Sequence, residues 1–278
     1  MSQSLSVKTD DVLTASMVAR MYATMDWAVP KNGLETGAPT PLNSYLMLCL
    51  DLIRNDQLRP YGLAYEDEAL PFIDLPRRVW GGGSLKFINP LRIGDKVSRT
   101  TKIIDQKNKS GSFGEMTFVD LMNDYYVDGA HCLSEALTLI YLPERSKSAD
   151  VSEKSVASRP PCDYAQSVSF SPHQLFRFSA ITFNAHRIHF DPQHAQQIEA
   201  YPDQVVHGPI QTSIVLNCWQ QNNPGKTLKH IKLRCNGSAM VNQTLHVQGV
   251  RDDDGDHLAV YNDHGEELYT AQVLEAYE

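Results

Sequence analysis

Between Phe178 and Trp219 the chain gathers Asn184, His186, Arg187, His189, His194 and His207 beside two helix-start signals, Asp191-Pro192 and Gly208-Pro209. An imidazole ordinarily titrates near ~6.5, so it can take up and return a proton at neutral pH. A helix N-terminus leaves backbone N–H groups unengaged at the positive end of the macrodipole, which suits an oxygen gaining negative charge. Acid–base work on an anionic intermediate is the chemistry these types and spacings allow. The same residues could instead form a polar loop that leads into a core helix, as turn formers and caps.

The elements that must hold this stretch recur. Ala15 to Met25 has Met17, Val18, Met21 and Met25 at helical spacing. Pro41 to Arg54 is apolar on nearly every side, so it is expected as a buried helix with Pro41 in its first turn. Four β-rich runs follow, Ser84 to Ile88, Lys96 to Ile104, Gly114 to Asp124 and His131 to Leu142, separated by Gly, Pro and Asn turn signals. Helices first and an antiparallel sheet after make an α+β pattern. Residues 145–163 are rich in Ser and Pro, can bury little, and are expected as a linker between residues 1–144 and 164–278.

After that segment the plan repeats. Residues 17–26 lie over 175–184 without gaps, at an offset of 158, and residues 40–48 lie over 208–216 at an offset of 168. Strand signals come next at Ile231 to Leu233, Leu245 to Val250, Leu258 to Asn262 and Leu268 to Leu274, with a hairpin turn at Asp253 to Asp256. The second half carries ten more residues than the first between the matched Asn/Asp position and the matched proline, and those ten hold the histidines. A duplicated chain in which one copy has the site and the other keeps only the scaffold is the reading that follows.

Composition narrows the function classes. A net charge of -8 without dense Lys or Arg clusters argues against a general nucleic-acid or anionic-membrane binder. No apolar run approaches the ~20 residues of a membrane span, and the N-terminal residues resemble neither a secretory signal nor a transit peptide, so a cytoplasmic location is expected. Five scattered cysteines without a CxxC pair are expected as reduced thiols.

Phe178-Ser179-Ala180-Ile181-Thr182, then Asn184, His189 and Asp191, then Val206-His207-Gly208, resembles the hydratase signature of MaoC-like hot-dog proteins. The run TFNAHRIHFD followed by VVHGP is similar to the double-hot-dog branch, which includes itaconyl-CoA and mesaconyl-C4-CoA hydratases and type 2 hydroxyacyl-thioester dehydratases. Leu75 to Trp80, Gly81 to Gly83, Phe87, Pro90 and Gly94-Asp95 extend the likeness into the first half. The resemblance implies a tandem hot-dog, α+β, each antiparallel sheet wrapped around a long central helix. Pro41 to Arg54 and Pro209 to Gln221 would be those helices.

It also implies reversible hydration of an α,β-unsaturated acyl-CoA, a C5 dicarboxylic one by the closest likeness, or dehydration of a straight-chain 3-hydroxyacyl thioester on coenzyme A or acyl carrier protein. His189 would be the general base and the Gly208 N–H the enolate stabiliser, with Asn184 orienting water. Asn184 stands where single-domain relatives carry an aspartate, and an amide cannot accept a proton. His186, His207 and Trp80 join the substrate-binding set, His207 by positioning its turn. Arg187 and Arg177, and Arg77, Arg78 and Lys86 from the other half, are candidates for coenzyme A phosphates or a substrate carboxylate. No separate cofactor or metal is expected, coenzyme A being part of the substrate, and the resemblance leaves room for a homodimer of such chains.

Three other readings compete. The histidine spacing fits no common zinc pattern. Asp252 to Asp256 is flanked by strands and misplaces the glycine of a calcium loop. Trp80 followed by three glycines lacks the GK[ST] of a P-loop and suggests a bulge instead. A non-catalytic acyl-thioester binder, a hot-dog without chemistry, is the alternative of a different class.

Overall fold

The computed structural model describes residues 6–64, 69–111, 114–144 and 158–277. Ten strands form one sheet, and every pairing in it is antiparallel. They are β1 (Ser6–Val12), β2 (Arg77–Phe87), β3 (Lys96–Gly111), β4 (Gly114–Val127), β5 (Ala130–Leu142), β6 (Tyr164–Ser169), β7 (Thr227–Cys235), β8 (Thr244–Asp252), β9 (Gly255–Tyr261) and β10 (Glu267–Tyr277). Their order is β1-β3-β4-β5-β2-β7-β10-β9-β8-β6. Counted inward from each edge the two halves follow the same plan, and they meet where β2 pairs with β7 from Gly82↔Arg234 to Lys86↔His230. The tandem hot-dog is therefore one continuous sheet.

Four helices are found among the described residues: α1 (Ala15–Met25), α2 (Pro172–Ile181), α3 (Pro192–Gln197) and α4 (Gly208–Asn222). Thr14 caps α1, and Val18, Met21, Tyr22 and Met25 form its buried stripe. α2 begins with a capping box between Ser171 and Gln174. Both helices end on a left-handed residue, Asp26 at φ 54 and Phe183 at φ 52. The caps Thr14 and Ser171 and the stops Asp26 and Phe183 are each 157 positions apart, so the ungapped overlay at 158 is one residue out of register. Asn184 thus matches Trp27, not Asp26.

α4 is buried on almost every face and is the central helix expected at Pro209 to Gln221. Its Ile210, Ile214, Leu216 and Trp219 share one core with Leu245, Val247, Leu258 and Val260 of the second half and with Met21, Met47 and Leu85 of the first. Each such aliphatic side chain contributes about 1.5–3 kcal/mol. Trp219 donates its indole N–H to Asp256 Oδ2 at 2.6 Å, which satisfies both buried groups. An Asp256→Ala variant is expected to lose ~1–3 kcal/mol in urea denaturation, because the indole N–H would stay buried without an acceptor.

The helix expected over Pro41 to Arg54 does not form. Ser44–Met47 makes one 3-10 turn, Leu48 is extended, and Cys49 is left-handed at φ 54. Two contacts account for the break. The Cys49 N–H donates to Asp11 Oδ2 at 2.9 Å, tying the chain to β1 instead of to a preceding turn. Tyr45, Met47, Leu48 and Cys49 share a core with Val97, Tyr125 and Leu133 of the sheet, but the sheet also carries a polar row, Thr101, Asn123 and Glu135, joined by hydrogen bonds of 2.8 Å. A helix apolar on every side could not bury all its faces against a surface that is partly polar.

The expected strands form, with β2 and β3 longer than their apolar cores, and Asp253-Asp254 closes the β8–β9 hairpin. The sheet register shifts between Trp80 and Gly82, at the glycine run. Most of the expected linker, 145–157, lies outside the described residues, and 158–163 leads into β6. Among the described residues no helix is long and apolar enough to cross a membrane.

Candidate active site

The stretch from α2 to α4 is fixed by local hydrogen bonds before any tertiary contact is counted. At the end of α2 the Asn184 N–H donates to Ser179 O at 2.8 Å. Asn184 Oδ1 then accepts the His186 N–H at 3.0 Å, a side-chain-closed turn that rotates His186 inward. A 3-10 turn over Arg187–His189 follows, and Asp191 caps α3 by accepting the His194 N–H at 3.0 Å. Residue 189 is held from the far side as well, since Gln204 Nε2 donates to its carbonyl at 3.2 Å and Val205 N–H donates to Ile188 O at 2.9 Å.

The His189 ring is oriented by one decisive contact. Its Nδ1 lies 2.7 Å from Val205 O. A carbonyl only accepts, so Nδ1 carries the hydrogen and Nε2 keeps its lone pair. The His207 ring stacks on His189 at 3.6 Å between centroids, and its Nε2 is 2.9 Å from Ser179 Oγ. Burial, then the charge of His186, holds His189 down at about 3, although the Val205 carbonyl and Glu199 favour protonation. Burial, then His189 and His186, likewise holds His207 well below its ordinary value.

Two buried histidines kept neutral make stability depend on pH. In the unfolded chain each takes up a proton near ~6.5, whereas in the fold His189 does so only near 3. The unfolded state therefore binds more protons between those limits. Their contribution is fully present above ~6.5 and is lost as the pH falls toward 3. The urea midpoint is expected to be lower at about pH 5 than at about pH 7.5 with an unchanged m-value. Equal midpoints would mean that these imidazoles are charged in the folded protein.

His186, His189, Asn184, Gly208, Trp80 and Arg78 all line one cavity of about 650 Å³ between the two halves. That is the size of a typical small-molecule site. The Gly208 N–H opens α4, has no acceptor among the described residues, and is followed by Pro209, which has none to offer. A Cβ at Gly208 would stand 3.2 Å from the Trp80 ring, so glycine lets the indole close over the helix start. Trp80 in turn stacks on Tyr269 at 5.6 Å. Leu46, Leu50 and Ile53, from the segment where the first-half helix is missing, form an apolar wall with Leu58 and Leu63 just beyond it. Phe176, Phe183 and Phe190 line the cavity while remaining exposed, which marks its mouth.

Several predicted binding residues are engaged elsewhere. The Arg187 guanidinium is held by Asp191 Oδ2 at 2.6 Å and by Pro60 O at 3.2 Å, and it does not line the cavity. Arg77 is buried outside it, on Glu199 Oε2 at 3.4 Å and Tyr201 at 3.3 Å. Arg177 and Lys86 are exposed away from the cavity, and His207 sits outside its lining against His189. Sequence reasoning passed over three residues. Gln211 lines the cavity with a buried Oε1 that has no partner among the described residues. Arg99 reaches the cavity beside Asp51, which it meets at 2.9 Å. Glu199 is 1% exposed yet ionic. A glutamine in an otherwise apolar helix was the available signal for Gln211; Glu199, just past α3, has its partners at a distance in sequence and no local signal.

Comparison with known proteins adds the following. Residues 46–241 match the family described as hydroxyacyl-thioester dehydratase type 2. The chain is 35% identical over 204 residues to the mesaconyl-C(4)-CoA hydratase of Chloroflexus aurantiacus, covering 72% of this chain and 70% of that one. It is 27% identical over 195 residues to the mitochondrial type 2 hydroxyacyl-thioester dehydratase of Schizosaccharomyces pombe, covering 62% and 64%. Among solved structures, a MaoC-like dehydratase from Phytophthora capsici superposes with a TM-score of 0.74 at 12% identity, covering 98% of this chain and 96% of that one. A double-hot-dog protein from Mycobacterium tuberculosis superposes at 0.62 and 12% identity, covering 98% and 95%.

Proposed function

This chain belongs to the type 2 hydroxyacyl-thioester dehydratase family, among the MaoC-like hydro-lyases, and we propose that it hydrates a C5 dicarboxylic enoyl-CoA of the mesaconyl-C4 or itaconyl type reversibly. The observation that carries the chemistry is the tautomer of His189. With Nδ1–H given to Val205 O, Nε2 is a lone pair in the cavity wall, ready for a water molecule. The thioester carbonyl is placed at the Gly208 N–H, where the start of α4 stabilises the oxygen as it becomes an enolate. His189 Nε2 takes a proton from water as its oxygen bonds to the β-carbon, and the α-carbon receives a proton. Asn184, its Oδ1 engaged by the His186 N–H, offers its amide N–H₂ to orient the water.

The substrate's second carboxylate is assigned to Arg78, which lines the cavity with no acidic partner among the described residues. Arg99, at the Asp51 side, is the other cation available. A straight-chain 3-hydroxyacyl thioester is the second reading, favoured by the apolar wall at Leu46, Leu50 and Ile53.

A panel of crotonyl-, mesaconyl-C4-, itaconyl- and a longer straight-chain enoyl-CoA, followed by loss of enoyl absorbance, tests both readings. The C5 dicarboxylic compounds are expected to give the highest kcat/KM, and Arg78→Met to raise KM for them at least ~10-fold with little effect on crotonyl-CoA. A preference for the longer chain would move the assignment to the second reading, and binding without turnover of any compound would make the protein a scaffold. Asn184→Ala is expected to lower kcat ~10-fold or more, and Asn184→Asp, which keeps the turn, to retain activity. Full turnover by Asn184→Ala would remove Asn184 from the reaction.

A further inference from the structure

Adding water to a double bond moves two protons, one off the water and one onto the α-carbon. Asn184 can hold neither, because an amide does not titrate and its Oδ1 is already committed to the His186 N–H. The cavity wall contains another imidazole. His186 is 5% exposed, and its ring stands 5.6 Å from that of His189, edge to face at 83°. Resting on the hydration reading above, we infer that His186, backed by the buried carboxylate of Glu199, is the second acid–base group of this site and supplies the α-carbon proton.

The geometry behind His186 is built for that task. His186 Nε2–H donates to Glu199 Oε1 at 3.0 Å, so Nδ1 is the position left to face a reacting atom. Glu199 does not line the cavity and acts only through its partners, as a positioning residue. Its other oxygen accepts from Arg77 Nε at 3.4 Å, and Arg77 is fixed in turn by Tyr201 OH at 3.3 Å and Pro143 O at 3.5 Å. His194 Nε2 approaches the shared oxygen to 3.4 Å. Burial pushes the Glu199 carboxyl up, but the His186 hydrogen bond and charge, with Arg77 and His194, bring it below its ordinary value. A buried ionic array of this kind adds little stability over well-packed apolar residues, so holding an imidazole is a better account of it.

The cycle balances. The proton to be delivered is assigned to His186 Nδ1, with Nε2–H on the Glu199 carboxylate. The hydroxyl oxygen bonds to the β-carbon while His189 Nε2 takes the water proton. The electron pair of the double bond moves toward the thioester and then forms the α C–H bond with the His186 Nδ1 proton. His186 is left neutral and His189 protonated, and transfer of that proton between the two neighbouring rings restores the start. No oxidant or co-reactant is needed.

The test uses the full-length protein and whichever enoyl-CoA the wild type hydrates; a wild type inert on every compound defeats the hydration reading before this one is reached. His186→Gln is expected to lower kcat ~100-fold or more with KM changed less than ~3-fold. Glu199→Gln removes the charge at constant shape and is expected to lower kcat ~10-fold or more and to displace one limb of the kcat pH profile. The other titratable or charged groups around His186 are His189, His207, His194, Arg77, Arg187 and Tyr201, all still present in that variant. The double variant is expected to be no slower than His186→Gln alone, since Glu199 works through His186. Glu199→Gln within 2-fold of wild type at every pH, or a double-variant loss equal to the product of the single losses, overturns the proposal. If Glu199→Gln does not fold, His186→Gln, which leaves the Glu199–Arg77 pair intact, decides alone: kcat within 2-fold of wild type overturns it.

Discussion

His189→Ala is expected to lower kcat by ~10²–10⁴-fold while product affinity stays within a few-fold of wild type. The size follows from what the ring provides. Its Nδ1 is bound to Val205 O at 2.7 Å, its backbone is held by Gln204 at 3.2 Å, and it cannot turn to present the other nitrogen. A ring so fixed loses little freedom when water arrives, so removing it forfeits both the proton acceptor and its placement. His189→Gln keeps a polar side chain that cannot accept a proton, and it is expected to be nearly as slow. Stopped turnover with retained product binding, measured by calorimetry, is the diagnostic pair. Wild-type hydration by either variant would end the assignment of His189 as base.

The second large effect comes from a residue that carries no functional group. Gly62 has φ +86, and a Cβ there would stand 1.7 Å from Ala185 O, inside the loop that carries Asn184, His186 and His189. The two loops are also joined by the Arg187 N–H, which donates to Tyr61 O at 2.9 Å. Gly62→Ala is expected to cost about 1–3 kcal/mol from the left-handed backbone alone. Pushing the histidine loop aside by about an ångström should lower kcat/KM ~10²-fold in addition. Gly37 separates the two costs. Its φ is +83 but nothing lies within 4 Å of its Cβ position, so Gly37→Ala should share the strain and keep the activity. Equal activity for the two variants would show that the first-half loop does not support the site.

Much of this was legible from residue order. The helix starts at Asp191-Pro192 and Gly208-Pro209 are local chemistry, and local chemistry decided them. The strands were found because alternation of buried and open positions survives along each of them, as in β4 and β9. The segment from Pro41 to Arg54 was misjudged because an all-apolar run is the same string whether it makes a core helix or a cavity wall. The deciding partners, Asp11 and the Thr101–Asn123–Glu135 row, are distant in sequence. β1 and β6 escaped notice because edge strands with one open face carry too few apolar residues to signal themselves. At the site the histidines were legible and their partners were not. Arg77 and Arg187 looked like free cations until Glu199 and Asp191 stood beside them.

The missing helix of the first half also separates two kinds of inheritance. The groups proposed to move protons or hold the enolate, His189, His186 and Gly208, all come from the second half. Leu46, Leu50, Ile53 and Leu58, which would set the room for an acyl chain, come from a segment whose one titratable group in the cavity wall, Asp51, is paired with Arg99. Drift at those four positions can reshape the cavity without touching a hydrogen bond of the reacting centre. One fused chain can therefore change its diet while its chemistry is conserved, a freedom closed to a symmetric pair of identical subunits, in which every change at the wall appears in both copies.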